Sequence, residues 1–79
     1  MERYELILNG HPGALAHVIG LITGRRWHLG SLEYPQATTV DRRLLVFDLD
    51  SGGRGEQVEA QFARLYDVLA VRRIPYSPS

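Results

Sequence analysis

Asn9-Gly10-His11-Pro12-Gly13-Ala14-Leu15-Ala16-His17-Val18-Ile19-Gly20-Leu21-Ile22 reads as the end of a strand, a tight turn and the opening of a helix. Ahead of it, Tyr4, Leu6 and Leu8 alternate with Arg3, Glu5 and Asn9; behind it, Leu15, Val18, Ile19 and Ile22 recur at offsets of three, four and seven. The period switches from 2 to 3.6 within four residues. Pro12 suits the first helical position, where its missing N–H costs nothing, and Gly10 and Gly13 let the backbone turn and let a ligand or a second chain come close. No Ser, Thr, Asp or Asn stands immediately before Pro12, so the first-turn N–H groups lack the usual side-chain cap. They are either hydrated or free to hold a carboxylate or phosphate.

Downstream, Gly24-Arg25-Arg26 closes the helix with cations where the dipole favours them, and Trp27-His28 leads into an extended run. Ala16, Gly20 and Gly24 form a stripe of small residues, suited to helix packing or to a partner's backbone. The segment from Leu29 to Ala37 alternates poorly, with Leu32 and Tyr34 on one face, Leu29 and Ser31 on the other, and Pro35 unable to donate to a ladder; it reads as an edge strand. After a turn at Gln36–Asp41, the segment from Arg42 to Asp50 is the clearest strand, with Arg43, Leu45, Phe47 and Leu49 facing the core. Leu44 and Val46 fall on the opposite face, where Ile7 joins them if the first and third strands pair. An apolar centre on a face without helices implies a cover.

Ser51-Gly52-Gly53-Arg54-Gly55 is a loop, and Val58, Phe62, Leu65 and Leu69 mark a second amphipathic helix stopping near Tyr66. Val68 to Ile74 is a last short strand, and residues 76–79 are a tail beyond a single domain of residues 1–75. The order β-α-β-β-α-β predicts an α+β, ferredoxin-like domain: an antiparallel four-stranded sheet with both helices on one face. That topology leaves a sheet edge unpaired.

Composition excludes several functions. The 79 residues carry nine basic and nine acidic side chains, so no general polyanion-binding surface is expected. With no Cys there is neither a disulfide framework nor thiol chemistry, and association becomes the expected supplement to a small core. No segment has signal-peptide or membrane-span character, which predicts a cytoplasmic protein with no membrane partner. All nine basic residues are Arg, which is either a compositional habit or a provision for fork-like recognition of carboxylate or phosphate. His11, His17 and His28 lack metal-ligand spacing, and neither Ser31 nor Ser51 sits in a nucleophile context, so neither metal, cofactor nor catalysis is expected. Gly52-Gly53-Arg54-Gly55 lacks the Lys and Ser/Thr of a phosphate-binding loop and reads as a connector. An RNA-recognition motif shares the topology but needs aromatics on the open face, where this chain has Leu44 and Val46; nucleic acid is not an expected partner.

Pro12-Gly13-Ala14-Leu15, Val18-Ile19-Gly20-Leu21-Ile22, Trp27-His28-Leu29-Gly30-Ser31-Leu32 and the segment Gln61 to Val71, with its Leu65-Tyr66-Asp67-Val68 ending, resemble the ACT domain of the small regulatory subunit of acetolactate synthase. The resemblance covers nearly the whole chain. It implies a homodimer paired side by side, an amino-acid effector held at the dimer interface near the Gly-rich turn, and regulation of a separate thiamine-diphosphate catalytic subunit in branched-chain amino acid synthesis. Carried over, the ligand-binding positions are Gly10, His11, Pro12, Gly13, Ala14 and Leu15, with His28 at the opening of the second strand. Valine-responsive members have Asn at the positions of Gly10 and His28, so this chain looks more like the short, valine-insensitive type. A free-standing ACT sensor without a synthase partner is the alternative.

Overall fold

A computed structural model describes residues 1–35 and 41–75. Alternation along β1 (Glu2–Leu8) puts Tyr4, Leu6 and Leu8 out of solvent while Ile7 and Glu5 face the other way. The helical period then carries Ala14, Val18 and Ile22 of α1 (Ala14–Gly24) onto the same core. β2 (His28–Glu33), β3 (Arg43–Asp50), α2 (Gly55–Ala63) and β4 (Val68–Pro75) complete the chain. The sheet order is β2-β3-β1-β4 with every neighbouring pair antiparallel. Side chains of both helices pack with the inward residues of β1 and β3, giving the ferredoxin-like α+β arrangement that the element order predicts. The turn expected at 36–41 lies, apart from Asp41, outside the described residues, as does the 76–79 tail.

The centre of the core is aromatic. Tyr4 stacks on Phe47 with ring centroids 5.6 Å apart, and Phe62 meets both edge-on at 6.0 and 5.4 Å. Trp27, between α1 and β2, lies 5.8 Å from Phe62. The Tyr4 hydroxyl reaches Glu2 Oε1 at 3.5 Å, and burial, reinforced by the Glu2 carboxylate, pushes the phenol up to about 12.

Three local expectations need correction. Pro12 is not the first helical residue: Ala14 N–H bonds His11 O at 3.0 Å, so Pro12 and Gly13 are the central pair of a turn that precedes the helix. Gly13, at φ −90° and ψ −1°, has the third-position geometry of a type I turn, for which Pro is favoured one place earlier. Second, Leu69 is not on α2. After Ala63 the chain tightens into i→i+3 bonds (Arg64 N–H to Gln61 O, Leu65 N–H to Phe62 O), and Leu69 emerges in β4, 53% exposed.

Third, Leu29 and Leu32 share a face. Leu29 lies opposite Leu49 and Leu32 opposite Phe47, three steps on β2 against two on β3. The surplus residue is a β-bulge at Gly30-Ser31, where both residues face Asp48. A Cβ on Gly30 would come within 3.3 Å of the Asp48 Cβ and the Met1 sulfur, so this crowded position suits glycine. Ser31 Oγ donates to Asp48 at 2.7 Å and Arg3 Nε at 3.1 Å. These two bonds hold the Asp48 carboxyl below the usual carboxylate range, against the burial that raises it.

β2 is an edge strand, as expected, and all six of its residues are exposed. On the face without helices, Ile7 pairs directly with Leu44 and Glu5 with Val46. The apolar centre predicted there is present, bordered by the Arg3–Asp48 and Glu5–Arg72 ion pairs.

Candidate functional site

The turn between β1 and α1 is built from Asn9 outward. Gly10 has φ +71°, a left-handed conformation that side chains disfavour, and it reverses the chain as it leaves β1. Asn9 fixes that reversal from both sides. Its Oδ1 accepts the His11 N–H at 3.1 Å, its backbone N–H donates to Asp67 O at 3.0 Å, and its Nδ2 donates to Asp67 Oδ1 at 3.0 Å. His11 and Pro12 are exposed, Gly13 and Leu15 half-buried, and Ala14 buried against the core. No side chain caps the helix, as the sequence indicates.

One turn into α1, His17 lies beside Gly13 and donates from Nδ1 to Asp67 Oδ2. Asp67, in the turn before β4, is only 5% exposed, while the His17 ring remains largely open to solvent. The His17 hydrogen bond holds the Asp67 carboxyl below its ordinary range; burial opposes this and the Asn9 amide assists it. The end of β1, the first turns of α1 and the approach to β4 are thereby joined through one carboxylate. With Nδ1 engaged on Asp67, the Cε1–Nε2 edge of the ring lies beside Gly13.

The constellation of Asn9, His17 and Asp67 is not legible in the sequence. His17 and Asp67 are fifty residues apart, and only the resemblance singles out Asp67. Among the described residues, no group of three or more His, Asp or Glu side chains is placed to hold a metal ion.

His28 is elsewhere in the chain. It opens β2 opposite Asp50, past the far end of α1, and the 11 residues of that helix span about 16 Å at ~1.5 Å per residue. A single copy therefore brings Gly10, His11, Pro12, Gly13, Ala14 and Leu15 together but leaves His28 at the opposite end of the sheet.

The turn can offer backbone N–H groups, and the positive end of a helix, to a small carboxylate. It offers little for an ammonium group, because the Asn9 amide is already engaged on both sides. No protein-family model matches the chain, and no curated protein matches it.

Proposed function

We propose that this chain is a non-catalytic regulatory subunit of the ACT type, the small subunit of an acetolactate synthase, working as a homodimer that binds the thiamine-diphosphate catalytic subunit in the cytoplasm. The observation that carries the reading is β2. It is a sheet edge exposed along its whole length, with Leu29 and Leu32 turned to the same side and 40% and 36% exposed. Unprotected edges of this kind are templates for pairing with another chain.

A two-fold axis through β2 joins two sheets into one of eight strands and runs the two β2 strands antiparallel. The start of one β2 then meets the end of the other, so that His28 of the partner subunit approaches the end of the sheet that carries the Gly10–Leu15 turn. An effector site formed in this way belongs to both copies, which accounts for its incompleteness in one. Regulation follows by differential binding: a dimer that prefers the active conformation of the catalytic subunit shifts the population towards it by the ratio of affinities.

The test is reconstitution. A purified acetolactate synthase large subunit is assayed for acetolactate formation with and without a stoichiometric excess of this protein, and the mixture is run on a sizing column. Raised turnover and a co-eluting complex are expected. Unchanged turnover with no complex overturns the synthase assignment in favour of the free-standing sensor.

A further inference from the structure

A second concave surface lies away from the Gly-rich turn. A cleft of about 610 Å³ opens at the other end of α1, between Arg25 and Arg26, the start of β2 at His28, the β3–α2 loop at Arg54, and Gln57 and Gln61 of α2. Arg25, Arg26 and Arg54 are exposed, and none makes an ion pair among the described residues. Arg25 is oriented by a bond from Nη2 to Gln61 Oε1 at 3.3 Å. Asp50 is the cleft's single carboxylate, and its Oδ1 already accepts the Gly52 N–H at 3.0 Å. Three arginines thus line a concave surface with one carboxylate.

Local stability explains part of this arrangement. Arg25 and Arg26 follow α1, where the helix dipole favours cations. Arg54 occupies the position just before α2, where the dipole disfavours a cation and a Ser, Asp or Asn would cap the helix. A third cation placed against that preference, lining the same cleft as the other two, is a charge that a bound anion would offset. The chain as a whole has no net charge, so the concentration here is local and suits a small ligand better than an extended polyanion.

We propose that this cleft binds a small anion with two or more negative charges, of the phosphate-ester or diphosphate class, held by the guanidinium groups of Arg25, Arg26 and Arg54. Arginine forks match phosphate oxygens in pairs, and Gln57 contributes an amide donor from the helix side. The inference stands on this chain alone and does not depend on the regulatory reading.

Trp27, the only tryptophan, lines the same cleft and reports on it. Its fluorescence is titrated with inorganic pyrophosphate at constant ionic strength, and in parallel with inorganic phosphate and malonate. Saturable binding of pyrophosphate with a Kd below about 1 mM is expected, with phosphate and malonate weaker. The double variant Arg25→Gln/Arg54→Gln should weaken pyrophosphate by about tenfold or more, while Arg64→Gln, outside the cleft, should leave it unchanged. Urea midpoints verify folding, and the single variants Arg26→Gln and Arg54→Gln carry the comparison if the double variant is unfolded. Absence of saturation by about 10 mM, unaltered affinity in the cleft variants, or an equal loss in Arg64→Gln overturns the proposal. Malonate binding as tightly as pyrophosphate overturns the phosphate class.

Discussion

At Asp67 the sign of a pH dependence can be worked out from the geometry. Its carboxyl is held below the ordinary range chiefly by the His17 hydrogen bond. A carboxylate with a depressed folded-state pKa contributes stability that is complete above the unfolded value, near 4, and is lost as pH falls through the folded value. Asp67→Asn should therefore lower the urea midpoint at neutral pH, and its difference from the native chain should shrink as pH falls below about 4. A difference that stays constant from pH 7 to 3 contradicts the role given to the carboxylate. Gly10 allows a simpler test: a Cβ at φ +71° should cost about 1–2 kcal/mol in Gly10→Ala, read from the same denaturation curves. On the proposed function, single residues would also set ligand selectivity. With Gly10 and His28 at the two positions, and the Asn9 amide engaged, calorimetry should detect no micromolar valine affinity. A Kd near 1 μM, about −8 kcal/mol, contradicts that expectation, since backbone donors to one carboxylate do not supply so much.

Among the elements, the core is organised around α2 through Phe62, fully buried against Tyr4, Phe47 and Trp27. Phe62→Ala should cost about 3–5 kcal/mol. In a domain whose total stability is of order 5–15 kcal/mol, that leaves a marginal fold, and Trp27 fluorescence in urea should show an early or absent native baseline. The elements that could be read from the sequence are those that satisfy one period throughout. The switch at Asn9–Ala14 and the alternation of Arg43 to Leu49 are enforced by burial and sufficed for the topology. The departures all arise where a local device interrupts the period. The bulge at Gly30-Ser31 moves Leu29 to the other face, the i→i+3 turns after Ala63 release Leu69 from α2, and the His11–Ala14 turn delays α1 beyond Pro12. Contacts across the fold leave no periodic trace. The His17–Asp67 bond and the grouping of Arg25, Arg26 and Arg54 depend on which ends of the sheet the crossovers bring together.

For the whole molecule, the question is what lies against β2. β4, the other edge, is flanked by α2 and carries Arg72 and Arg73, which pair with Glu5, Glu2 and Glu59. β2 has no equivalent protection: its only charge is Glu33 at the end, and Leu29 and Leu32, on the same face as Leu49 and Phe47, remain 40% and 36% exposed. In the proposed dimer, a continuous sheet would supply both the missing ladder and apolar burial to a small core without disulfides. Leu32→Arg places a cation at this edge, at a position 36% exposed opposite Phe47, and should hold the proposed pair apart; the thermal stability of a dilute sample checks that the fold survives the change. The most direct measurement is sedimentation equilibrium of the native chain at tens of micromolar, where an interface of standard size is fully formed. A mass twice the 8.9 kDa of one chain is expected, reverting to 8.9 kDa in Leu32→Arg; a native chain that sediments at 8.9 kDa throughout contradicts the account.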